Sequence, residues 1–192
     1  MHLRLRQKYN RKRIDGKTAL VRKQLREEDR RYLQGVTYVL PKDLPEQSRL
    51  DFQHYLLYAV LGTHAAAPVG ESVRHILDVA TGTGRWAYEM ARTFPNAQVI
   101  GLDMEEPISP IGGPDNYTFL QGNLFAGLPF ADQTFEYVHQ RFLVLALPAK
   151  QWPFVLSELV RVTRSGGYVE LVEGGGTFLH IGPATTQLKQ WW

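Results

Sequence analysis

The pattern of apolar and polar positions changes character near residue 73. As far as Arg31 the chain is dominated by charged residues. A short aromatic and aliphatic segment, RYLQGVTYVLPKDL, follows and is interrupted by Pro41 and Pro45. From Glu46 to Gly62 apolar residues recur at helical spacing, with Leu50, Leu57 and Leu61 on one face and Phe52, Leu56 and Ala59 widening it. Pro45 just inside the start and Gly62 near the end mark the boundaries of that helix.

From Val73 onward strand and helix patterns alternate. HILDVA is a short, almost wholly apolar run of the kind found in a parallel strand buried on both faces. Helical spacing follows at Trp86, Ala87, Met90, Ala91 and Phe94, and Pro95 ends it. AQVIGLD, YTFLQGN and FEYVHQR read as further strands. WPFVLSELVRVT reads as a helix with Pro153 in its first turn, and GGYVELVE as a fifth strand. This alternation predicts a doubly wound, mostly parallel α/β sheet covered on both faces. Three regions follow: a basic, partly disordered arm over 1–31, a helical cap over 32–72, and a Rossmann-like domain over 73–192.

A chain of 192 residues holds about one domain. Its 44% hydrophobic share is that of a globular protein. No apolar run reaches the roughly 20 residues of a membrane helix. The charged N-terminus has no apolar stretch after it and is not a secretory signal. Absence of cysteine excludes disulfides, thiolate metal sites and cysteine nucleophiles, and fits a cytoplasmic protein. The net charge of +3 conceals an asymmetry, since residues 1–31 carry 12 Lys/Arg against 4 Asp/Glu. Such an arm can touch nucleic acid or an acidic partner. It lacks the interleaved aromatics of a single-strand platform, so a solvated extension is the preferred reading.

The most informative stretch is ILDVATGTGRWA. A strand ends in Asp78, a loop of small residues runs through Ala80, Thr81, Gly82 and Gly84, and a helix begins near Arg85. Glycines let the backbone approach a ligand, and a helix N-terminus offers free N–H groups. A tight strand-to-helix turn would look the same. The spacing also satisfies G-x-G-x-x-A, the dinucleotide pattern. Asp78 separates the two readings, because a carboxylate four residues before Gly82 repels a pyrophosphate but suits a cationic amino-acid group. Asp103, ending VIGLD, is placed to accept from the two hydroxyls of a ribose. Asn123 can bond an adenine edge, with Leu124 or Met104 against the ring; a strand-end turn is the plainer role for that asparagine.

With these blocks in order, residues from about 30 to 174 resemble class I S-adenosylmethionine-dependent methyltransferases of type 11/25, in particular the LaeA-like branch. The stretches that carry the resemblance are YVLPKDLPEQSRLDFQHYLL, ILDVATGTGRWAYEMARTFPNAQVIGLDM, GNLFAGLPFADQTFEYVHQRFL and LVRVTRSGGYVELVE. It implies S-adenosylmethionine as cofactor, with Asp78, Ala80, Gly82 and Gly84 at its methionine end and Asp103 on the ribose. It also implies Met104, Asn123 and Leu124 around the adenine, and Gln140 with Arg141 facing the sulfonium. Two residues depart from the commonest family pattern. Ala80 stands for a glycine, and Asn123 for an aspartate.

Displacement on a sulfonium needs chiefly alignment, so no fixed catalytic signature is expected. For a hydroxyl acceptor a general base helps, and His54, His139 and Glu173 are the candidates. His139 and Gln140 fall on opposite sides of their strand. No histidine cluster has metal-ligand spacing, so no metal is predicted. The expected activity is methylation of a small-molecule acceptor. A non-catalytic, partner-binding regulatory module and a nicotinamide-dependent oxidoreductase are the alternatives. The latter would need a catalytic Tyr/Lys set, which is not found. Class I domains normally continue past the fifth strand, so a fragment ending early, with an exposed edge strand, is expected. The oligomeric state is not legible.

Overall fold

Five short apolar runs lie side by side in one all-parallel sheet. The computed structural model describes residues 30–32, 40–108, 112–174 and 182. The expected basic arm, up to residue 29, and most of the segment after 174 lie outside the described residues. In chain order the elements are α1 (Leu44–Leu61), β1 (His75–Val79), α2 (Arg85–Thr93), β2 (Gln98–Asp103), β3 (Tyr117–Gln121), β4 (Phe135–Arg141), α3 (Trp152–Val162) and β5 (Thr163–Val172). Short 3-10 turns occupy Leu124–Ala126 and Ala149–Gln151.

The strand order is β3-β2-β1-β4-β5. The chain winds outward from β1 in one direction and then restarts at β4 on the other side. The carboxyl ends of β1 and β4 therefore flank the switch point where open α/β sheets bind ligands. Register makes those ends level: Asp78 lies opposite Gly101 on one side and His139 on the other.

Alternation along β1 feeds two cores. Ile76 packs with Val99 and Tyr137 beneath Trp86, Ala87, Met90 and Ala91 of α2. Leu77 and Val79 pack with Leu102 and Val138 against Val155, Leu159 and Val162 of α3. The sheet is thus covered on both faces, as the doubly wound pattern predicts. Among the described residues β5 is an edge strand, pairing with β4 alone.

α1 keeps its predicted limits. Asp43 caps it by accepting from the Glu46 N–H at 3.0 Å, and Gly62 closes it with φ +71°. Its predicted apolar face packs inward only along its centre, where Leu50 and Leu57 are half-buried beside His54. Phe52, Leu56 and Leu61 are exposed, whereas Glu46 and His54 are buried. Tertiary contact decides the rotation here. Asp51 accepts from Thr83 Oγ1 at 2.7 Å and from Arg85 Nη2 at 3.1 Å, which turns the His54 side of α1 onto the loop after β1.

Candidate functional site

A cleft opens above the carboxyl ends of β1, β2 and β4. Its floor is the loop Ala80–Thr83, its sides are Leu102–Met104 and Leu124–Phe125, and Leu50, Gln53 and His54 of α1 form the roof with Arg141–Leu143. The loop reaches this shape through left-handed backbone at Ala80 (φ +57°), Gly82 (φ +59°) and Gly84 (φ +78°). A Cβ at Gly84 would come within 2.5 Å of Tyr117 Oη. Ala80, the departure from glycine, takes the left-handed conformation anyway, at a cost of about 1 kcal/mol. Phe142, also lining the cleft, is left-handed too (φ +55°). Backbone strain therefore gathers at both rims of the site.

Asp103 is buried at the tip of β2 and faces the cleft. Its Oδ2 accepts from the Gly82 N–H at 2.8 Å, and its Oδ1 meets Lys42 Nζ at 3.3 Å. The Glu105 N–H also reaches Oδ1, at 3.3 Å, so of the roughly four acceptor sites of a carboxylate the capacity left for a further donor lies on Oδ2. Met104, Leu124 and Phe125 line the same cleft.

Four residues expected at the cofactor do not line the cleft, and Gly84, the N-cap of α2, is one of them. Asp78 is buried behind the loop, with Oδ1 bonded to His139 Nδ1 at 2.8 Å and Oδ2 accepting from Thr81 Oγ1 at 2.6 Å. Asn123 takes the plain turn role: its Oδ1 accepts from the Phe125 N–H at 2.9 Å and caps the 3-10 turn. Gln140 is fully buried on the far side of β4 and donates to Glu173. Arg141, its neighbour, is turned into the cleft by strand alternation.

The three base candidates also separate. Glu173 accepts from Gln140, from the Leu143 N–H at 2.9 Å and from the Val144 N–H at 3.1 Å, so it is a clamp on the β4 exit. His54 accepts from Arg141 Nη2 through Nδ1 at 3.1 Å. Burial, and then the charge of Arg141, pushes its pKa down to about 4. The ring is therefore neutral with its proton on Nε2, and its basic lone pair is already taken. His139 differs, because its Nδ1 faces a carboxylate.

Lys42, Phe125, Phe142, Leu143, Ala146 and Leu147 line the cleft without having been singled out from sequence. Phe125, immediately after Asn123-Leu124, is the one a sequence signal marked: an aromatic beside a strand-end turn. Among the described residues no group of three or more His, Asp or Glu could hold a metal ion. No helix among them is long and apolar enough to cross a membrane.

Residues 76–167 match the family model described as a methyltransferase domain. The chain is 32% identical to methyltransferase pytC of Aspergillus terreus over 140 residues, covering 71% of this chain and 42% of that relative. It is 30% identical to the secondary metabolism regulator LAE1 of Cochliobolus heterostrophus over 142 residues, covering 71% of this chain and 45% of the relative. A solved SAM-dependent methyltransferase from Aquifex aeolicus shares the fold, with a TM-score of 0.53 at 21% identity over 73% of this chain and 78% of that one. The match spans less than half the length of the two curated relatives.

Proposed function

From the membership of this chain in the class I methyltransferase family we propose that it binds S-adenosylmethionine in the cleft and methylates a small-molecule acceptor. The observation that carries this reading is Asp103, a buried carboxylate hung over a left-handed glycine loop and flanked by an apolar shelf. Asp103 accepts from the ribose hydroxyls. Met104, Leu124 and Phe125 hold the adenine by apolar contact. At Gly82 a Cβ would have only Leu50 within 4 Å, at 3.9 Å, so the missing side chain leaves room for the ligand along the loop.

Arg141 supports the same reading from the other end. Its guanidinium is largely desolvated, its pKa is lowered by burial, and no acid forms an ion pair with it among the described residues. A part-buried cation with no ion-paired acid is costly, and a carboxylate entering the cleft would offset that cost. The amino-acid end of the cofactor supplies one. The cofactor, when bound, contributes a methyl group already activated by positive sulfur. The protein contributes alignment, which can lower the barrier by roughly 7–11 kcal/mol.

Similarity to a regulator at 30% identity supports a second reading, cofactor binding without turnover. Titration with S-adenosylhomocysteine tests the first part of both readings. Turnover on a panel of hydroxyl and amine acceptors separates them: methylated product requires the enzyme.

A further inference from the structure

The helix that roofs the cleft is apolar on two sides. One side of α1 brings Leu50, Gln53 and His54 into the roof. On the other, Phe52 is 69% exposed, Tyr55 48%, Leu56 52% and Val60 74%. Ala59 lies exposed among them. At about 3.6 residues per turn these positions fall within an arc of about 140°. From Phe52 to Leu61 every exposed residue of α1 is apolar or aromatic, and none carries a charge. A helix apolar on both sides is ordinarily buried on both sides.

Area, charge and spacing together point to what covers this stripe. About 100 Å² of each of the four large side chains lies open, so the patch measures on the order of 400–500 Å², near the upper end of what a monomer exposes. Two such patches brought together remove about 1,000 Å² before any polar rim is counted, which is the size a specific pair requires. A two-fold contact sets a patch against itself, so any charge within it would meet its like; this patch holds none. Phe52, Leu56 and Val60 stand four residues apart. An antiparallel pair centred on Leu56 therefore sets Phe52 against the partner's Val60 twice, while Leu56 meets its own copy. Ala59, with its small side chain, lets the two helices approach closely.

The stripe is also held firm from behind. The Tyr55 ring stands edge-on to His54, with centroids 5.0 Å apart and planes at 79°, and Arg85 Cζ lies 5.9 Å from the Tyr55 centroid. Asp51, next to Phe52, ties the helix to Thr83 and Arg85. A surface fixed in this way loses little freedom on binding.

We propose that the outer face of α1 is a dimerisation surface and that its occupant is a second copy of this chain, packed antiparallel through Phe52, Leu56 and Val60. Each roof helix is then held between its own glycine loop and the helix of its partner. The pairing needs no ligand in the cleft.

Sedimentation velocity on the full chain over a concentration series tests this. The wild type is expected to be a dimer with a Kd below about 100 µM. Leu56→Glu sets two carboxylates face to face at the two-fold axis, and a monomer with unchanged circular dichroism is expected. The chain has no cysteine, so Leu56→Cys gives a second readout: a short bis-maleimide should link two copies through that one residue. A wild type still monomeric at about 100 µM overturns the proposal. So does a dimer that Leu56→Glu leaves intact, or one that Leu56→Cys fails to link. A monomeric wild type whose urea midpoint falls on Leu56→Glu substitution would show that the chain's own segments cover the face, and overturns it too. Should Leu56→Glu not fold, the wild-type mass and the Leu56→Cys link decide.

Discussion

Arg141 donates to His54 Nδ1 at 3.1 Å, so a guanidinium at the end of β4 has a neutral ring as its partner where an acid would be expected. Desolvation lowers the pKa of both groups. Two consequences follow, one for binding and one for stability.

Replacing Arg141 by Met removes a part-buried charge that forms no ion pair among the described residues, though the charge of Asp78 acts on it. Affinity for S-adenosylhomocysteine is expected to fall roughly 10- to 100-fold, the worth of a charge-assisted hydrogen bond to a carboxylate. Affinity for 5′-methylthioadenosine, which lacks the amino-acid end, stays unchanged. Parallel calorimetric titrations check this, and equal losses for both ligands would assign Arg141 elsewhere.

His54 gives the fold a pH dependence with a definite sign. Its folded pKa, about 4, lies below the ordinary 6.5. The unfolded chain therefore binds the proton first as pH falls. The stability contribution is complete above the ordinary value and is lost as pH falls through 6.5 toward 4, by about 3 kcal/mol at most. Urea midpoints at about pH 7.5 and about pH 4.5 should differ for the wild type and converge for His54→Gln.

Much of the fold was legible because its signals are local. Strands β1, β2 and β4 are apolar runs cut off by polar or small residues, and α1 is bounded by Pro45 and Gly62. The width of the inward face of α1 was not legible. Asp51 meets Thr83 and Arg85 across more than thirty residues of sequence, and those bonds seat the side carrying Leu50, His54 and Leu57 while leaving Phe52 and Leu56, which were expected to widen it, exposed. In the site, Asp103, Met104, Leu124 and Arg141 fall where strand ends must converge. Asp78, Asn123 and Gln140 do not line the cleft, because each meets a polar partner closer at hand: His139, the Phe125 amide and Glu173. Spacing along a chain cannot show which of two available partners a side chain takes.

Gly84 is required twice over, for its φ of +78° and because a Cβ there would stand 2.5 Å from Tyr117 Oη. Gly84→Ala should destabilise by about 2 kcal/mol or more. Adding Tyr117→Phe should recover the part due to the hydroxyl and leave the conformational part, as a double-mutant cycle by urea denaturation would report.

The central claim is that the Asp103 cleft holds the nucleoside of S-adenosylmethionine. Calorimetric titration of the purified chain with S-adenosylhomocysteine, with NAD(H) alongside and Asp103→Ala as the control, tests it most directly. Saturable binding of S-adenosylhomocysteine alone, weakened roughly 10- to 100-fold in the control, is the predicted result. Binding of NAD(H) alone, or S-adenosylhomocysteine binding indifferent to Asp103, would contradict it.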